Sequence, residues 1–519
     1  MPTASPSSRF PLPRLAAWAL ALAALGAGIA LRAWHIAGEP FWLDEAYSAY
    51  AADHGWRFLW TMVPAYETHP PVYYSLVRLW SLAAGETVLA RRLLGIVAGL
   101  AAVGATAAAA AGLARLLALD ARDRRWLIAA ALLLACLHPL MIEMSRQVRP
   151  YPLMTLAYAG AIPALVRLAR DAAGRRPLHR GALAGFFAAQ AAMLWLHSLG
   201  PLYGATMSLA LAVLVLRRGL GPRDWLWLVG GHVVVALVYL PGFLIMLGQA
   251  SGWVQATWLV FKPWRLGLDL RMLYATWNLW AGAAALALAL AGVALMVRRA
   301  PGRRMAAALV LLATLPVALS LALTITVSPV FIVRTLSPCT VPALLLIARG
   351  LVLPRRWRWP ALLPLAALLV SMATIDWRMA NGPPQQNWYG TARWLAARFR
   401  AGDVVWAYPN EGALPLDYAL RDLGMAMPVR PIPVAVPAIG AGGFYPTGSR
   451  GVVSLYPAEM TALVARPEAR APGTIWLLRL GPWAYDKGDL MVKALAAQGR
   501  VPVGRWRSGP IDIVGLRRR

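Results

Sequence analysis

The sequence predicts an α-helical multi-pass membrane protein with a small C-terminal α/β domain. Three observations carry that prediction. Of 519 residues, 59% are hydrophobic and 14% charged, and mean hydropathy is +0.56; a typical soluble domain has roughly 25% charged residues. The apolar residues gather in runs approaching the roughly 20 that a spanning helix needs. These runs stop near residue 380, beyond which the composition is that of a soluble module. So apolar a chain is not disordered, since disorder needs low hydrophobicity, and one soluble globule could not hide this much apolar surface. Its two cysteines, Cys136 and Cys339, lie in apolar runs and make no disulfide framework.

About eleven spans are expected at this length criterion. They cover 14–33, 89–114, 126–145, 150–167, 181–198, 201–216, 225–247, 272–297, 305–327, 336–353 and 359–375. The first ends in Arg32 and Trp34 rather than at a small-residue cleavage site, so it reads as a retained helix. Arginines cluster in every second loop. They follow the second span (Arg115–Arg125), the fourth (Arg167–Arg180), the sixth (Arg217, Arg218, Arg223), the eighth (Arg298–Arg304) and the tenth (Arg349–Arg358). All these loops share a side with Arg9 and Arg14. Cytoplasmic loops retain Lys and Arg, so the N-terminus is expected in the cytoplasm. An odd number of spans then puts the C-terminal module outside. The same alternation places most of the +29 net charge, which comes from 51 basic and 22 acidic residues. Basic clusters scattered over short loops make no continuous surface for nucleic acid.

The first outside segment, about 35–88, is rich in Trp, Tyr and His. Within it, Glu45–Trp60 and Pro71–Ala84 read as short amphipathic helices at the interface. A second sizeable outside loop runs from about 248 to 271. The composition changes at Trp377–Gln386, where Asn, Gly, Pro and Gln appear. Residues 1–380 are thus expected to form the membrane domain and 381–519 an extracytoplasmic one. In the latter, Trp388–Arg400 has helical periodicity, Asp403–Tyr408 and Thr474–Leu480 read as buried strands, and Asp489–Gln498 reads as a helix ending at Gly499.

Charges near membrane depth are costly and so mark candidate functional sites. The candidates share the outside face. They are Asp44 and Glu45, then Glu67 and His69 before Pro70-Pro71, then Glu143, Arg146 and Arg149 around one tight turn. His197 closes the fifth span, Lys262 sits in the second large loop, and Arg334 lies before the tenth span. Each also has a plain structural use: Asp44 as a helix cap, Arg146 and Arg149 as snorkelling side chains, the histidines as packing residues. Asp44 and Glu45 point about 100° apart on a helix, which separates their roles. Arg146 and Arg149, three apart in a helical turn, would share a face and clamp one anion. Arginines outside run against the charge bias of the loops, which favours a retained purpose.

The ordered motifs resemble those of the C-type membrane glycosyltransferases, in the branch of the protein O-mannosyltransferases (glycosyltransferase family 39) and the bacterial lipid A aminoarabinose transferases. Phe41-Trp42-Leu43-Asp44-Glu45-Ala46-Tyr47 resembles their first-loop acidic motif, and His69-Pro70-Pro71-Val72-Tyr73-Tyr74 the bacterial "HPPLYY" stretch. Ala90-Arg91-Arg92-Leu93, Ser145-Arg146-Gln147-Val148-Arg149-Pro150-Tyr151, Leu196-His197-Ser198 and Val333-Arg334-Thr335-Leu336-Ser337-Pro338 follow in the family's order. Trp388–Tyr408 resembles the opening of the family's extracytoplasmic domain. The likeness covers most of residues 30–410.

The resemblance implies a GT-C-like membrane domain and a polyprenyl-phosphate-linked sugar donor. It also implies inverting transfer at the outer face to a lipid, glycan or protein acceptor. In that reading Asp44 is the general base, with Glu45 beside it, and Arg146, Arg149, Arg334 and Lys262 meet the donor phosphate. His69, Glu67, Tyr151, His197 and Glu143 bind or orient substrate. Glu67-Thr68-His69 puts a histidine where the lipid A enzymes carry an acidic metal-contacting residue, and the turn after the third span carries Arg146 and Arg149 where some relatives carry an acid. A divalent metal ion and a metal-free site therefore both stay open. The Arg and Ala bias suggests a GC-rich bacterium and hence its inner membrane. The competing reading is a transporter or lipid-linked glycan flippase. Such proteins usually show repeated halves with interrupted midplane helices, and this sequence has no such repeat.

Overall fold

The computed structural model describes residues 12–67, 69–216, 220–256, 259–298, 300–353, 359–437, 457–486 and 488–519. Of the expected basic clusters, Arg9, Arg217, Arg218, Arg299, Arg355, Arg356 and Arg358 lie outside the described residues. The chain is a helical bundle that carries an α/β sheet module at one end. Seven described helices are long and apolar enough to cross a membrane, or eight when one bent pair counts as a single span. Eleven is reached only by adding Arg180–Leu196, Gly200–Val215 and Thr340–Leu351, which have 17, 16 and 12 residues. The helix Pro222–Ala256 exposes Leu226, Val229, Val233, Leu237 and Leu244. In water this stripe would be an aggregation hazard, whereas a bilayer solvates it. The chain is an integral membrane protein.

Three expected spans differ in shape, each for a local reason. The run 126–145 is two helices, Ala121–Leu137 and Pro139–Ser145, bent by 57°. Pro139 lacks an N–H and holds His138 in an extended conformation, so the first helix ends there. The run 272–297 begins in the end of the helix Leu266–Tyr274, breaks at 275–278 and resumes as a helix at Leu279, where the Asn278 side chain accepts hydrogen bonds from the N–H groups of Trp280 (2.8 Å) and Ala281 (3.1 Å). The run 336–353 begins as a 3₁₀ segment, Val333–Cys339, with Pro338 inside it, and becomes α-helical from Thr340.

The first long loop carries Leu43–Asp53, a second helical stretch from Gly55 to Tyr66 with a π-helical middle at Phe58–Met62, and Pro71–Ala84. The expected single helix over Glu45–Trp60 is thus interrupted, at His54. Pro71–Ala84 matches its expected limits, set by Pro71 in the first turn and by Gly85, whose φ of +99° favours glycine.

Among the described residues the module holds five strands: β1 (Val404–Tyr408), β2 (Val429–Pro431), β3 (Ile475–Leu480), β4 (Arg500–Ser508) and β5 (Ile511–Arg518), in the order β2-β1-β3-β5-β4. β1 runs parallel to β2 and β3, and β5 runs antiparallel to β3 and β4. Because β1 and β3 alternate side chains between two covered faces, both read as near-continuous apolar runs, interrupted in β3 by Arg479. Trp388, Val405, Ala407 and Trp476 pack on one face; Val404, Trp406, Leu477 and Met491 pack on the other. The helix from Trp388 ends at Ala396, a turn short of the expected Arg400.

Three bonds seat the module on the loop helix Leu43–Asp53. The Leu43 N–H donates to the Gln386 side chain (3.0 Å), the Tyr418 hydroxyl to Asp53 (2.6 Å) and the Tyr50 hydroxyl to the Val436 carbonyl (2.7 Å).

Candidate active site

The residues expected to carry chemistry meet at the module-bearing end of the bundle. Asp44 and Glu45 open the helix Leu43–Asp53 and face different ways, as their 100° separation requires. Glu45 is fully buried. Its carboxylate takes two bonds from Arg92, at 2.6 and 3.0 Å, one from the Val148 N–H at 2.9 Å and one from the Trp42 N–H at 3.3 Å. Arg92 spends its remaining donors on the carbonyls of Ile36 (2.8 Å), Glu39 (2.9 Å) and Pro40 (3.0 Å). A buried charge must be paired and hydrogen-bonded, and this pair is. Glu45 therefore ties three segments together: the loop helix, the span Val88–Leu116 and the turn 146–150.

Asp44 stays partly open, with 26% of its side chain exposed. Its Oδ2 lies 3.2 Å from Arg334 and 3.8 Å from Arg149. Arg334 also stands over the Trp42 ring, 5.3 Å from the centroid. Arg149 is buried and donates to the Asp44 carbonyl (3.2 Å) and the Ser48 hydroxyl (3.3 Å); it lies 3.2 Å from His69 Nε2. The His69 ring packs on His197 at 4.2 Å, and Tyr151 lies beneath both Arg149 (5.8 Å) and His197 (6.1 Å). Glu67 accepts a bond from the His69 N–H at 3.4 Å, and Gln249 donates to the Pro64 and Glu67 carbonyls. Glu143 sits within electrostatic reach of Arg334.

Two candidates stand apart. Arg146 donates to the Leu31 carbonyl (2.8 Å) and pairs with Glu39 (2.9 Å). The turn after Ser145 is not helical, so Arg146 and Arg149 do not share a face and form no common clamp. Lys262 is exposed ahead of the short helical turn Pro263–Arg265, and no contact between it and Asp44 occurs among the described residues.

Several partners were not expected: Trp42 under Arg334, Ser48 on Arg149, Arg92 on Glu45 and Glu39 on Arg146. Ser48 follows Asp44 by four residues, a spacing that signals a shared helix face. Glycines seat the turn that carries Arg149. A Cβ on Gly95 would lie 2.6 Å from the Ser145 carbonyl oxygen, and one on Gly99 would lie 2.5 Å from the Ser145 Cβ.

No group of three His, Cys, Asp or Glu side chains suited to a metal ion occurs among the described residues. Asp44 lies between two guanidinium groups and His69 Nε2 faces one of them at 3.2 Å, a setting that does not fit a metal ion. Arg334 and Arg149 offer an anion hydrogen-bond donors beside the partly open carboxylate, with Glu143 within electrostatic reach of Arg334 and Glu67 of Arg149.

No family model matches the chain, and no curated protein matches its sequence. Solved structures do match. ArnT from Cupriavidus metallidurans in the apo state has 14% identity and a TM-score of 0.57, with 96% of this chain and 97% of that one covered. The same protein bound to undecaprenyl phosphate has 15% identity and a TM-score of 0.52 over the same shares. The apo oligosaccharyltransferase of Archaeoglobus fulgidus has 13% identity and a TM-score of 0.51, covering 94% of this chain and 73% of that one. Over nearly its whole length, this chain has the fold of the C-type membrane glycosyltransferases.

Proposed function

We propose that the protein is a membrane glycosyltransferase that moves a sugar from a polyprenyl-phosphate donor to an acceptor hydroxyl, inverting the anomeric centre, with Asp44 as general base. The observation that carries the proposal is the partly open Asp44 carboxylate between Arg334 (3.2 Å) and Arg149 (3.8 Å). The likeness to a fold solved with undecaprenyl phosphate supports it.

The acceptor oxygen attacks the anomeric carbon as its proton passes to Asp44, and the bond from that carbon to the lipid phosphate breaks. General base catalysis of this kind contributes about 10²–10⁴-fold. The phosphate leaves as an anion and needs cationic hydrogen-bond donors where its charge develops. Arg334 and Arg149 supply them, and a guanidinium fork suits two phosphate oxygens. An arriving donor phosphate competes with Asp44 for Arg334, which frees the carboxylate to act as base. Glu45 positions the helix start, while His69, His197, Tyr151 and Glu67 back Arg149. Lys262 and Arg146 contribute at most through the field. Residues 1–380 hold this chemistry, and 381–519 cover it from the aqueous side. The arginine-rich loops support an outside position for that side and a cytoplasmic N-terminus, and the Arg and Ala bias of the sequence supports a bacterial inner membrane.

The test is transfer from radiolabelled polyprenyl-phosphate sugars by the protein in nanodiscs. Asp44→Asn should lower the rate at least about 100-fold and keep lipid phosphate binding. Arg334→Ala and Arg149→Ala should weaken lipid phosphate binding. An active Asp44→Asn protein removes the base assignment, and unchanged affinity in both arginine variants removes the clamp.

A further inference from the structure

The soluble module has an open cavity of about 510 Å³ at the C-terminal edge of β3, far in sequence from Asp44. Its size falls in the roughly 300–1,000 Å³ range of small-molecule sites. Trp483 lines it and is 66% exposed. Arg479 forms its floor, buried, in bonds to Asp486 (2.9 Å), Asp489 and Asp512. The β4–β5 hairpin contributes Arg507, which pairs with Asp512 at 2.9 Å.

The location matters. β1 and β3 are parallel, so their C-terminal edges share a side, and open α/β sheets bind ligands at that edge. The segment Asn410–Gly412, which follows β1, packs on β3 and on the helix that carries Asp44. Tyr485, two residues beyond Trp483, has its hydroxyl held above the usual range by burial and then by the charges of Glu411 and Asp44. The cavity therefore lies at the same edge of the sheet as the segment that packs on the helix carrying Asp44.

The lining states what it would take. Of the described lining residues, Arg479 and Arg507 face Asp486, Asp489 and Asp512, and Arg505, outside the lining, meets Asp512 at 2.8 Å. A described lining with no surplus of positive charge offers little to a phosphate or a polyanion. It does offer hydrogen-bonding edges: the side chains of Asp489 and Arg507 are 58% and 66% exposed. Planar carboxylate and guanidinium edges match vicinal hydroxyls in pairs. The negative face of an indole attracts the C–H bonds of a sugar ring. We infer that this cavity is an acceptor subsite that holds a neutral sugar unit of a glycan acceptor, with Trp483 as the stacking platform and Asp489 and Arg507 as the hydroxyl contacts. The inference rests on the transferase reading for its purpose and on the cavity for its chemistry.

The experiment offers the full chain in nanodiscs to an array of neutral oligosaccharides, with sulfated and phosphorylated ones beside them. Retention on one or more neutral glycans is expected. Trp483→Ala should reduce it about tenfold or more, the order seen when an aromatic anchor is truncated. Asp489→Asn and Arg507→Ala should reduce it as well. Trp483→Phe, which keeps an aromatic face, should restore part of it and so separates stacking from misfolding. Retention of no neutral glycan, retention of anionic glycans alone, or a Trp483→Ala protein that binds like the parent overturns the inference. Asp44→Asn separates the two proposals: it should still retain glycan. A transfer-competent Asp44→Asn protein would remove the base assignment and leave the subsite standing.

Discussion

Asp44 and Glu45 are chain neighbours with opposite surroundings. One carboxylate is partly open between two arginines; the other is sealed against Arg92. Their separation was legible from helix geometry alone, and so was the convergence of Arg149, Arg334, His69 and His197 on one end of the bundle. Which acid is buried was not legible, because Arg92 lies 47 residues away in the span Val88–Leu116. Arg146 shows a second limit. Its expected partnership with Arg149 assumed a helical turn, whereas the backbone after Ser145 leaves the helix and sends the two side chains to Glu39 and Asp44. Removing Glu45 would leave the buried Arg92 guanidinium without its contacting carboxylate, with Glu39 the next acid in electrostatic reach. Glu45→Ala should therefore cost about 3–5 kcal/mol, read as a lower melting temperature of the purified protein. A variant that melts like the parent would show that Arg92 is satisfied by carbonyls alone.

Among the elements, prolines and caps decided what could be read. Pro71–Ala84 has a proline at its start and a glycine at its end, and its limits were legible. The break at His138–Pro139 was read through, because the apolar run continues across it. That break lets Ser145 turn back onto Gly95 and Gly99. Gly95→Ala should push the turn away by a few tenths of an ångström or more, moving Arg149 with it. Misplacement of this order costs up to about 100-fold in rate; transfer assays with Gly95→Ala beside Gly104→Ala, whose Cβ meets nothing within 4 Å, check it. The hairpin of β4 and β5 escaped notice because Pro502 and Gly504 blur its alternation at a bulge. Its Asp512 is held below the ordinary carboxylate range: burial opposes the charge, and Arg505, Arg507 and Arg479 outweigh it. A folded value below the unfolded one adds stability above the ordinary Asp pKa of about 3.9, and this is lost as pH falls through the folded value. The module should lose melting temperature below about pH 4. Asp512→Asn should flatten that decline and lower the neutral-pH value.

At the scale of the molecule, the fold class was legible from apolar runs and arginine alternation, because a bilayer demands both. The number of spans was less so. Arg180–Leu196, Gly200–Val215 and Thr340–Leu351 fall short of full length, and hydropathy alone does not separate a short span from a buried helix. Orientation can be measured directly. Cys136 and Cys339 are buried, so they are silent to an impermeant maleimide. Arg470→Cys in the module should label in intact spheroplasts and Arg303→Cys only after lysis; the reverse pattern would invert the topology. The wiring of Asp44 has one more consequence, for the order in which the protein is built. Synthesis runs from the N-terminus, and domains form as chain becomes available. Glu45 waits for Arg92 and then Val148, Asp44 waits for Arg149 and finally Arg334, and Leu43 waits for Gln386. A ribosome that stops before Val333 releases a chain holding the carboxylate and only one of its two cations, with no sheet module above it.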